Sequence, residues 1–496
     1  MDIALCTLNA KFIHASLGLR WLYANLGELK GRTRLLELDI NQQPRDMVEA
    51  VMATKPRIVG FGVYIWNVEP TLAVIRMLKA LDPTLRVVLG GPEVSHETNG
   101  QPIVEAADHV ICGEADVAFA ELCTKLLAGE RPPKVLKPPL PDLGALVLPW
   151  DEYGDQDLKQ RLLYVEASRG CPYRCEFCLS SLDEKVRSLP LEPFLAAMQR
   201  LLDRGARHFK FVDRTFNLDL KQSRRILEFF LERLRPDLFL HFELVPDRLP
   251  EPLREVIAKF PPGVLQFEVG IQTFNPEVEK LISRRQDHAR LEDNLRWLTR
   301  ESHVHVHADL IVGLPGEDLQ SFARGFDALV KLAPQEIQVG VLKRLKGTPI
   351  TRHGGMVYSP VAPYEVLKTP WLTFDEVNVL RRFARTWDLF ANSGDFKLTF
   401  ERLMSAAASP FELVMQLNAR IVGPQTGIAL TRRFRLMFSF LVEVLGWSRE
   451  EAADQLLADY TRLGKSDRAA WLDSLPDAQL AQSALSARQE RHRAAG

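Results

Sequence analysis

Long hydrophobic runs are missing from this chain. The nearest candidate, Leu436–Leu445, falls well short of the ~20 apolar residues of a spanning helix, so no membrane span is expected. The N-terminus lacks a basic segment followed by an apolar run, so no signal peptide is expected either. An excess of one charge is also missing, because 63 Lys and Arg stand against 64 Asp and Glu. At a formal net charge of −1, no global field draws in nucleic acid or an anionic membrane, and no nucleic-acid partner is expected. Cysteine is scarce, at six in 496 residues, and Cys6, Cys112 and Cys123 are scattered as small buried hydrophobes would be. This is no disulfide framework, and it suits a reducing cytoplasm. No internal repeat is present, and the length suits two to four domains.

The other three cysteines are crowded together. Cys171, Cys175 and Cys178 stand at C-x-x-x-C-x-x-C spacing within Ser168–Cys178. Three thiolates so close can ligate three irons of a cubane 4Fe–4S cluster and leave the fourth iron open. A zinc site would want a fourth Cys or His nearby, and the next histidine is His208. The spacing, with Gly170 before it and Phe177 just before the last cysteine, resembles the radical S-adenosylmethionine (SAM) superfamily. That resemblance implies an open iron that holds the amino and carboxyl groups of SAM. It implies a reduced cluster that cleaves SAM to a 5′-deoxyadenosyl radical, and an external electron donor such as flavodoxin or ferredoxin.

In residues 1–130, apolar runs at Ile3–Leu8, Leu35–Ile40, Ile58–Val63, Val87–Leu89 and His109–Cys112 alternate with helical patterns. The alternation predicts an α/β domain with a parallel sheet in the flavodoxin-like (Rossmann-type) order 2-1-3-4-5. Ligands of such sheets bind beyond the carboxyl ends of the strands. Those ends carry Asn9, Tyr64, Trp66, Gly90-Gly91-Pro92-Glu93 and Gly113-Glu114, and glycine there lets a bulky ligand approach the backbone. Together with Gly60-Phe61-Gly62 and the cysteines downstream, the block resembles the cobalamin-binding domain of cobalamin-dependent radical SAM enzymes. The resemblance implies that these strand-end residues contact cobalamin, and bulk at Gly91 is expected to block it. In many such domains an Asp-x-His-x-x-Gly motif puts histidine on cobalt. Here Phe12 takes the Asp position and Gly18 comes one residue late, so that role is not carried to His14. His14 instead reads as opening a helix or contacting a cofactor side chain. Base-off cobalamin without a histidine ligand is expected, its lower face open, water-bound or covered by side chains such as Tyr64 and Trp66.

Residues 131–160 hold six prolines between Pro132 and Pro149 and read as a stiff extended connector. In residues 161–350, six strand-like runs, from Leu162–Ala167 to Ile337–Leu342, alternate with helical stretches. These six βα units resemble the partial (β/α)6 TIM-like barrel of radical SAM enzymes, in which chemistry sits at the carboxyl ends of the strands. By position, the resemblance places Asp213, Thr215 and Phe216 near the SAM amino group. It places Glu243 and Gln272 by its ribose and methionine, and Gly313 and Leu314 beside adenine. His303, His305 and His307 share a strand face, where they line a polar interior or hold a metal. Arg284-Arg285 reads as a solvated face. Residues 351–496 read as an all-helical accessory domain, opened by a Thr373-Phe374-Asp375-Glu376 capping box and ending in a frayed Ser486–Gly496.

These resemblances imply methyl transfer to an unactivated carbon, through a 5′-deoxyadenosyl radical and methylcobalamin. Two alternatives stay open: a non-methylating radical rearrangement, cyclisation or oxidation, and a cobalamin-binding sensor or carrier with a vestigial barrel. No catalytic side chain stands out, and the substrate is an unidentified small molecule, peptide or lipid.

Overall fold

Six parallel strands, one more than expected, build the N-terminal sheet of the computed structural model, which describes residues 1–421, 423 and 427–464. They are β1 (Ile3–Asn9), β2 (Thr33–Asp39), β3 (Ile58–Gly62), β4 (Arg86–Gly90), β5 (His109–Ile111) and β6 (Val135–Leu136), in the order 2-1-3-4-5-6. Every residue of β1 is buried, as befits a central strand covered on both faces. Ala4, Cys6 and Leu8 pack with Val74, Ile75 and Leu78 on one side. Ile3 and Leu5 pack with Leu19, Phe119 and Leu122 on the other. Cys6, Cys112 and Cys123 are buried in these cores, and burial pushes the Cys123 thiol up to about 12.

The extra strand comes from the proline-rich connector. Val135 pairs with Val110, so part of that stretch is sheet. Further along, Trp150 is fully buried, edge-on to Trp21 at 5.8 Å and to Phe194 at 5.2 Å. The helix Asp155–Gln160 brings Asp157 within 2.8 Å of Arg20, and Arg161 lies 2.7 Å from Glu37. The connector is therefore fixed by aromatic packing and a buried ion network.

The second sheet is β7 (Leu163–Val165), β8 (His208–Phe211), β9 (Phe239–Leu244), β10 (Leu265–Gln272), β11 (His305–Val312) and β12 (Glu336–Val341). All pairs are parallel and sequential, and β7 does not pair with β12, so the barrel is an open arc. Burial alternates along β10 and β11, with every polar residue on the partly covered face.

Met1–Arg381 form one compact unit, and a second begins at Arg382. At the expected capping box, Thr373 N donates to Glu376 Oε2 at 2.8 Å and Glu376 N to Thr373 Oγ1 at 3.3 Å. The second unit is helical in its described part and includes Lys397–Ala406, Pro410–Ala419, Leu430–Ser439 and Arg449–Arg462. The first of these carries no local start signal. Its cap is the Asp459 carboxylate, which accepts from Leu398 N at 2.9 Å and Thr399 N at 3.0 Å. The expected frayed end, Ser486–Gly496, lies outside the described residues. Among the described residues no helix is long and apolar enough to cross a membrane.

Candidate functional site

The loop after β7 bends sharply at Gly170, whose φ is +92° and where a Cβ would collide with the Lys185 carbonyl. Cys171 N donates to Asp183 O at 2.9 Å, Cys178 N to Cys175 O at 3.1 Å, and Ser181 Oγ to Cys178 O at 2.6 Å. So held, all three thiols face one cavity of about 250 Å³ at the carboxyl ends of the barrel strands. Burial pushes the Cys171 thiol up to about 11 and raises Cys175 as well, against the opposing pull of Arg284. Among the described residues no three His, Cys, Asp or Glu side chains converge as they would on a single ion. Three thiols spread around a cavity, with Cys6, Cys112 and Cys123 elsewhere, suit a cluster with one open iron.

Of the residues expected around SAM, Thr215, Glu243 and Gln272 line this cavity. Gln272 is a non-glycine residue with φ +72°, at a register shift between Gly270 and Gln272 that re-aims the end of β10. Arg214 Nη1 holds Glu243 at 2.8 and 3.0 Å, and burial raises the Glu243 carboxyl against that pull. Four expected residues lie elsewhere. Asp213 is 2 % exposed and turned to the loop, accepting from Ala167 N and, at 2.6 Å, from Ser168 Oγ. Phe216 packs on Phe242 at 4.1 Å. Leu314 is buried, and a Cβ on Gly313 would meet Val366 Cγ1 at 2.6 Å, so this turn is packing against the chain that follows.

Sequence reasoning missed several lining groups. Arg284, expected on a solvated face, has Nη1 3.4 Å from the Cys175 sulfur and Nη2 2.9 Å from Gln286 Oε1, and Nη2 also bonds the Gly270 carbonyl. Glu268 sits between Lys210 at 3.3 Å and His241 at 3.0 Å, and their bonds and charges hold it down at about 2 against burial. Asp309 Oδ1 lies 3.2 Å from His307 Nε2 without hydrogen-bond alignment, and stays open to a donor from the cavity. Of the histidines expected to share a face, His305 and His307 both reach Glu336, at 3.2 and 3.0 Å.

A second cavity, of about 490 Å³, opens at the carboxyl ends of β3, β4 and β5. Gly62, Tyr64, Gly90, Gly91, Pro92, Gly113 and Glu114 line it, together with Glu166, Arg169 and Ser180. A Cβ on Gly90 would meet nothing nearer than Ile111 O at 3.9 Å, and one on Gly113 nothing within 4 Å. These glycines form a cradle that side chains would fill, which fits a large flat ligand such as a corrin. Gly91 is different: its φ is +106°, and a Cβ there would lie 2.5 Å from Val63 O. The protein's own backbone requires that glycine, so bulk at Gly91 is no clean probe of ligand space.

Three further candidates are tied up away from this cavity's lining. Asn9 Nδ2 donates to His14 O at 2.8 Å and Glu37 Oε1 at 3.2 Å. Glu93 is buried and bonded to Lys346. Trp66 is 47 % exposed and stacked on Tyr64 at 4.5 Å, and only Tyr64 reaches the cavity. His14 neither caps a helix nor reaches this cavity. Ser16 is the cap, accepting from Leu19 N at 3.3 Å, while His14 Nδ1 meets the Tyr164 hydroxyl at 2.8 Å.

The cysteine loop forms the wall between the cavities. Arg169 and Ser180 face the glycines, while Cys171, Tyr173, Cys175, Phe177, Cys178 and Ser181 face the thiol cavity. Arg169 is locked there by Glu166 at 2.9 Å, Glu114 at 2.7 Å and Asp116 at 2.9 Å, with its guanidinium 4.6 Å over the Trp21 ring. Burial, opposed by Arg169, lifts the Glu166 carboxyl to about 7.

Comparison with known proteins agrees with this division. Residues 165–329 match the model of the radical SAM superfamily, residues 4–123 that of the B12 binding domain, and residues 352–494 a family described as a protein of unknown function, DUF4080. The 2-(S-pantetheinyl)-carbapenam-3-carboxylate methyltransferase of Streptantibioticus cattleyicolor is 24 % identical over 352 residues, 62 % of this chain and 51 % of that protein. The ribosomal protein uS12 methylthiotransferase RimO of Pelobacter propionicus is 27 % identical over 195 residues, 38 % of this chain and 43 % of that one. The chain thus spans about half the length of these curated relatives. The fold is shared with the radical SAM methyltransferase TsrM of Kitasatospora setae, solved with cobalamin and a [4Fe-4S] cluster (TM-score 0.60, 16 % identity, 94 % of this chain and 100 % of that one). It is shared equally with the cobalamin-dependent SAM radical enzyme OxsB with aqua-cobalamin bound (TM-score 0.60, 14 % identity, 94 % and 81 %).

Proposed function

Because this chain belongs to the cobalamin-binding proteins of the radical SAM superfamily, we propose that it is a methyltransferase acting on an unactivated carbon. The observation that carries the reading is the single loop, Arg169–Ser181, that faces a thiol cavity on one side and a glycine cradle on the other. A reaction that uses two cofactors in turn needs both within reach of one substrate. When bound, the cluster supplies the electron that breaks SAM, and cobalamin supplies a carrier for the methyl group.

The chain's own residues divide the work. Cys171, Cys175 and Cys178 hold the cluster, with Arg284 favouring the Cys175 thiolate. Thr215, Glu243 and Gln272 line the space for SAM, joined by Arg214, Glu268 and Asp309. Asp213 acts indirectly, by fixing the loop's entry through Ala167 and Ser168. Tyr64, Gly90, Pro92 and Gly113 cradle the corrin. The Glu243–Arg214 pair and the Glu268–Lys210 pair keep charged groups fixed before the substrate arrives, which is how a site avoids reorganisation during reaction. The electron comes from a flavodoxin- or ferredoxin-like donor, and the substrate is a small molecule, peptide or lipid. A reducing compartment, the cytoplasm, suits the exposed chemistry of such a cluster.

The test is the product spectrum of SAM in anaerobically reconstituted protein. Methyl transfer predicts S-adenosylhomocysteine together with 5′-deoxyadenosine. 5′-Deoxyadenosine alone would make the enzyme a non-methylating radical catalyst, and neither product would leave a sensor or carrier.

A further inference from the structure

The segment that leaves the barrel after β12 grips the walls of both cavities. Its first grip is on the loop after β4, whose opening residues Gly91 and Pro92 line the glycine cavity. Glu93 in that loop is 4 % exposed, and its carboxylate takes Lys346 Nζ together with the Tyr364 hydroxyl at 2.8 Å. Lys346 also donates to Gln101 Oε1 at 3.0 Å, and Gly347 N to Glu97 Oε1 at 3.0 Å. Arg344 pairs with the same Glu97.

The second grip follows within a few residues. Glu176, between two of the cluster-loop cysteines, is 1 % exposed. His353 Nε2 lies 2.8 Å from its Oε2, Arg352 pairs with its Oε1, and Ile350 N donates to its carbonyl at 3.1 Å. Its Oε1 also takes Ser283 Oγ at 2.7 Å, next to the Arg284 that faces Cys175. The second grip is carried by a short helical turn, Pro349–Arg352, whose opening Pro349 stiffens it.

We propose that Arg344–His353 is a positioning strap that sets the spacing between the cobalamin site and the cluster, with Lys346 and His353 as its anchors. This rests on the two-cofactor reading above. Each anchor ends on a buried carboxylate that would be left uncompensated in any other arrangement, so the pairs specify one geometry more than they add stability. Chemistry shared between two sites needs that geometry, since a displacement of about 1 Å costs ~100-fold in rate.

The test uses the full chain loaded with both cofactors. The Glu93→Gln/Lys346→Met double variant replaces the buried ion pair with neutral groups of similar size and so keeps the packing. Pulsed electron paramagnetic resonance reads the distance between the reduced cluster and the Co(II) form of cobalamin. The wild type should give one narrow distance and the double variant a shifted or broadened one. 5′-Deoxyadenosine formation, which needs only the cluster side, should stay within about twofold, while S-adenosylhomocysteine formation falls ~tenfold or more. Lys346→Arg alone, which keeps the ion pair with Glu93, should hold both near the wild type. His353→Gln, at the opposite anchor, should broaden the distance in the same way. Unchanged distances in either folded variant overturn the strap. A wild-type chain that takes up only one of the cofactors overturns the two-cofactor reading instead, and the strap with it.

Discussion

Nη1 of Arg284 lies 3.4 Å from the sulfur of Cys175, although the two residues are 109 positions apart. The guanidinium is aimed there by the Gly270 carbonyl, at the bulge that also turns Gln272 into the cavity. A fixed positive charge beside a thiol favours the thiolate, the form that ligates metal.

Arg284→Ala should therefore weaken cluster retention. A lost charge-assisted hydrogen bond of about 1.5–3 kcal/mol corresponds to roughly tenfold or more in affinity. Iron and sulfide per chain after anaerobic challenge with a chelator measure it, and Arg284→Lys should recover part of the loss. Equal iron retention in Arg284→Ala would remove this residue from the site.

Alanine at Cys171, Cys175 or Cys178 should abolish SAM cleavage. Serine at Cys6, Cys112 or Cys123 should leave iron content unchanged, since those thiols lie in the cores of the N-terminal sheet. A triple variant of the loop cysteines that still carried a cluster and cleaved SAM would sink the assignment.

Gly90→Leu should block cobalamin uptake while leaving the melting temperature near that of the wild type, because its Cβ direction is open to the cavity. Gly91→Val should instead lower stability itself, by at least 1–3 kcal/mol for a side chain forced on the Val63 backbone at positive φ. Cobalamin absorbance after desalting, read beside thermal unfolding, separates the two. Wild-type cobalamin uptake by Gly90→Leu would place the corrin elsewhere.

His14 shares its Nδ1 with the Tyr164 hydroxyl and lies outside the glycine cavity. The Co(II) spectrum of bound cobalamin should accordingly show no nitrogen superhyperfine splitting, and His14→Ala should leave it unaltered. Splitting that vanishes in His14→Ala would make this histidine the lower ligand.

His307 supplies a pH signature of the barrel itself. Burial opposes its charge, but Asp309, 3.2 Å from Nε2, and Glu336, 3.0 Å from Nδ1, together raise it from 6.5 to about 10. A histidine raised in the folded state contributes stability that is complete below pH 6.5 and is lost as pH rises through 10. His307→Gln should thus cost stability at pH 6, of order 3 kcal/mol, and the deficit should shrink steadily toward pH 10. Urea unfolding of both proteins across that range reads the difference, and a pH-independent deficit would mean packing alone.

The sequence by itself determined the elements and their order. Strands such as β1 were legible because burial on two faces writes a continuous apolar run, and β10 and β11 because burial on one face writes an alternating one. The three cysteines were legible for the same local reason, since all lie within Ser168–Cys178. Tertiary structure alone decided what those elements bring together. Glu93 and Lys346 are 253 residues apart, Glu176 and His353 are 177 apart, and the helix at Lys397 is capped by an aspartate about 60 residues later. No periodicity or spacing records such pairs, because each depends on where two distant backbones end. That is why Glu93 and Asp213, expected at ligands, are bonded to Lys346 and to Ser168, and why Arg284 read as solvated and faces a thiol. Gly91 makes the same point at the scale of one atom: its need for glycine was visible in the chain, but only the position of Val63 shows that the protein's own backbone sets it.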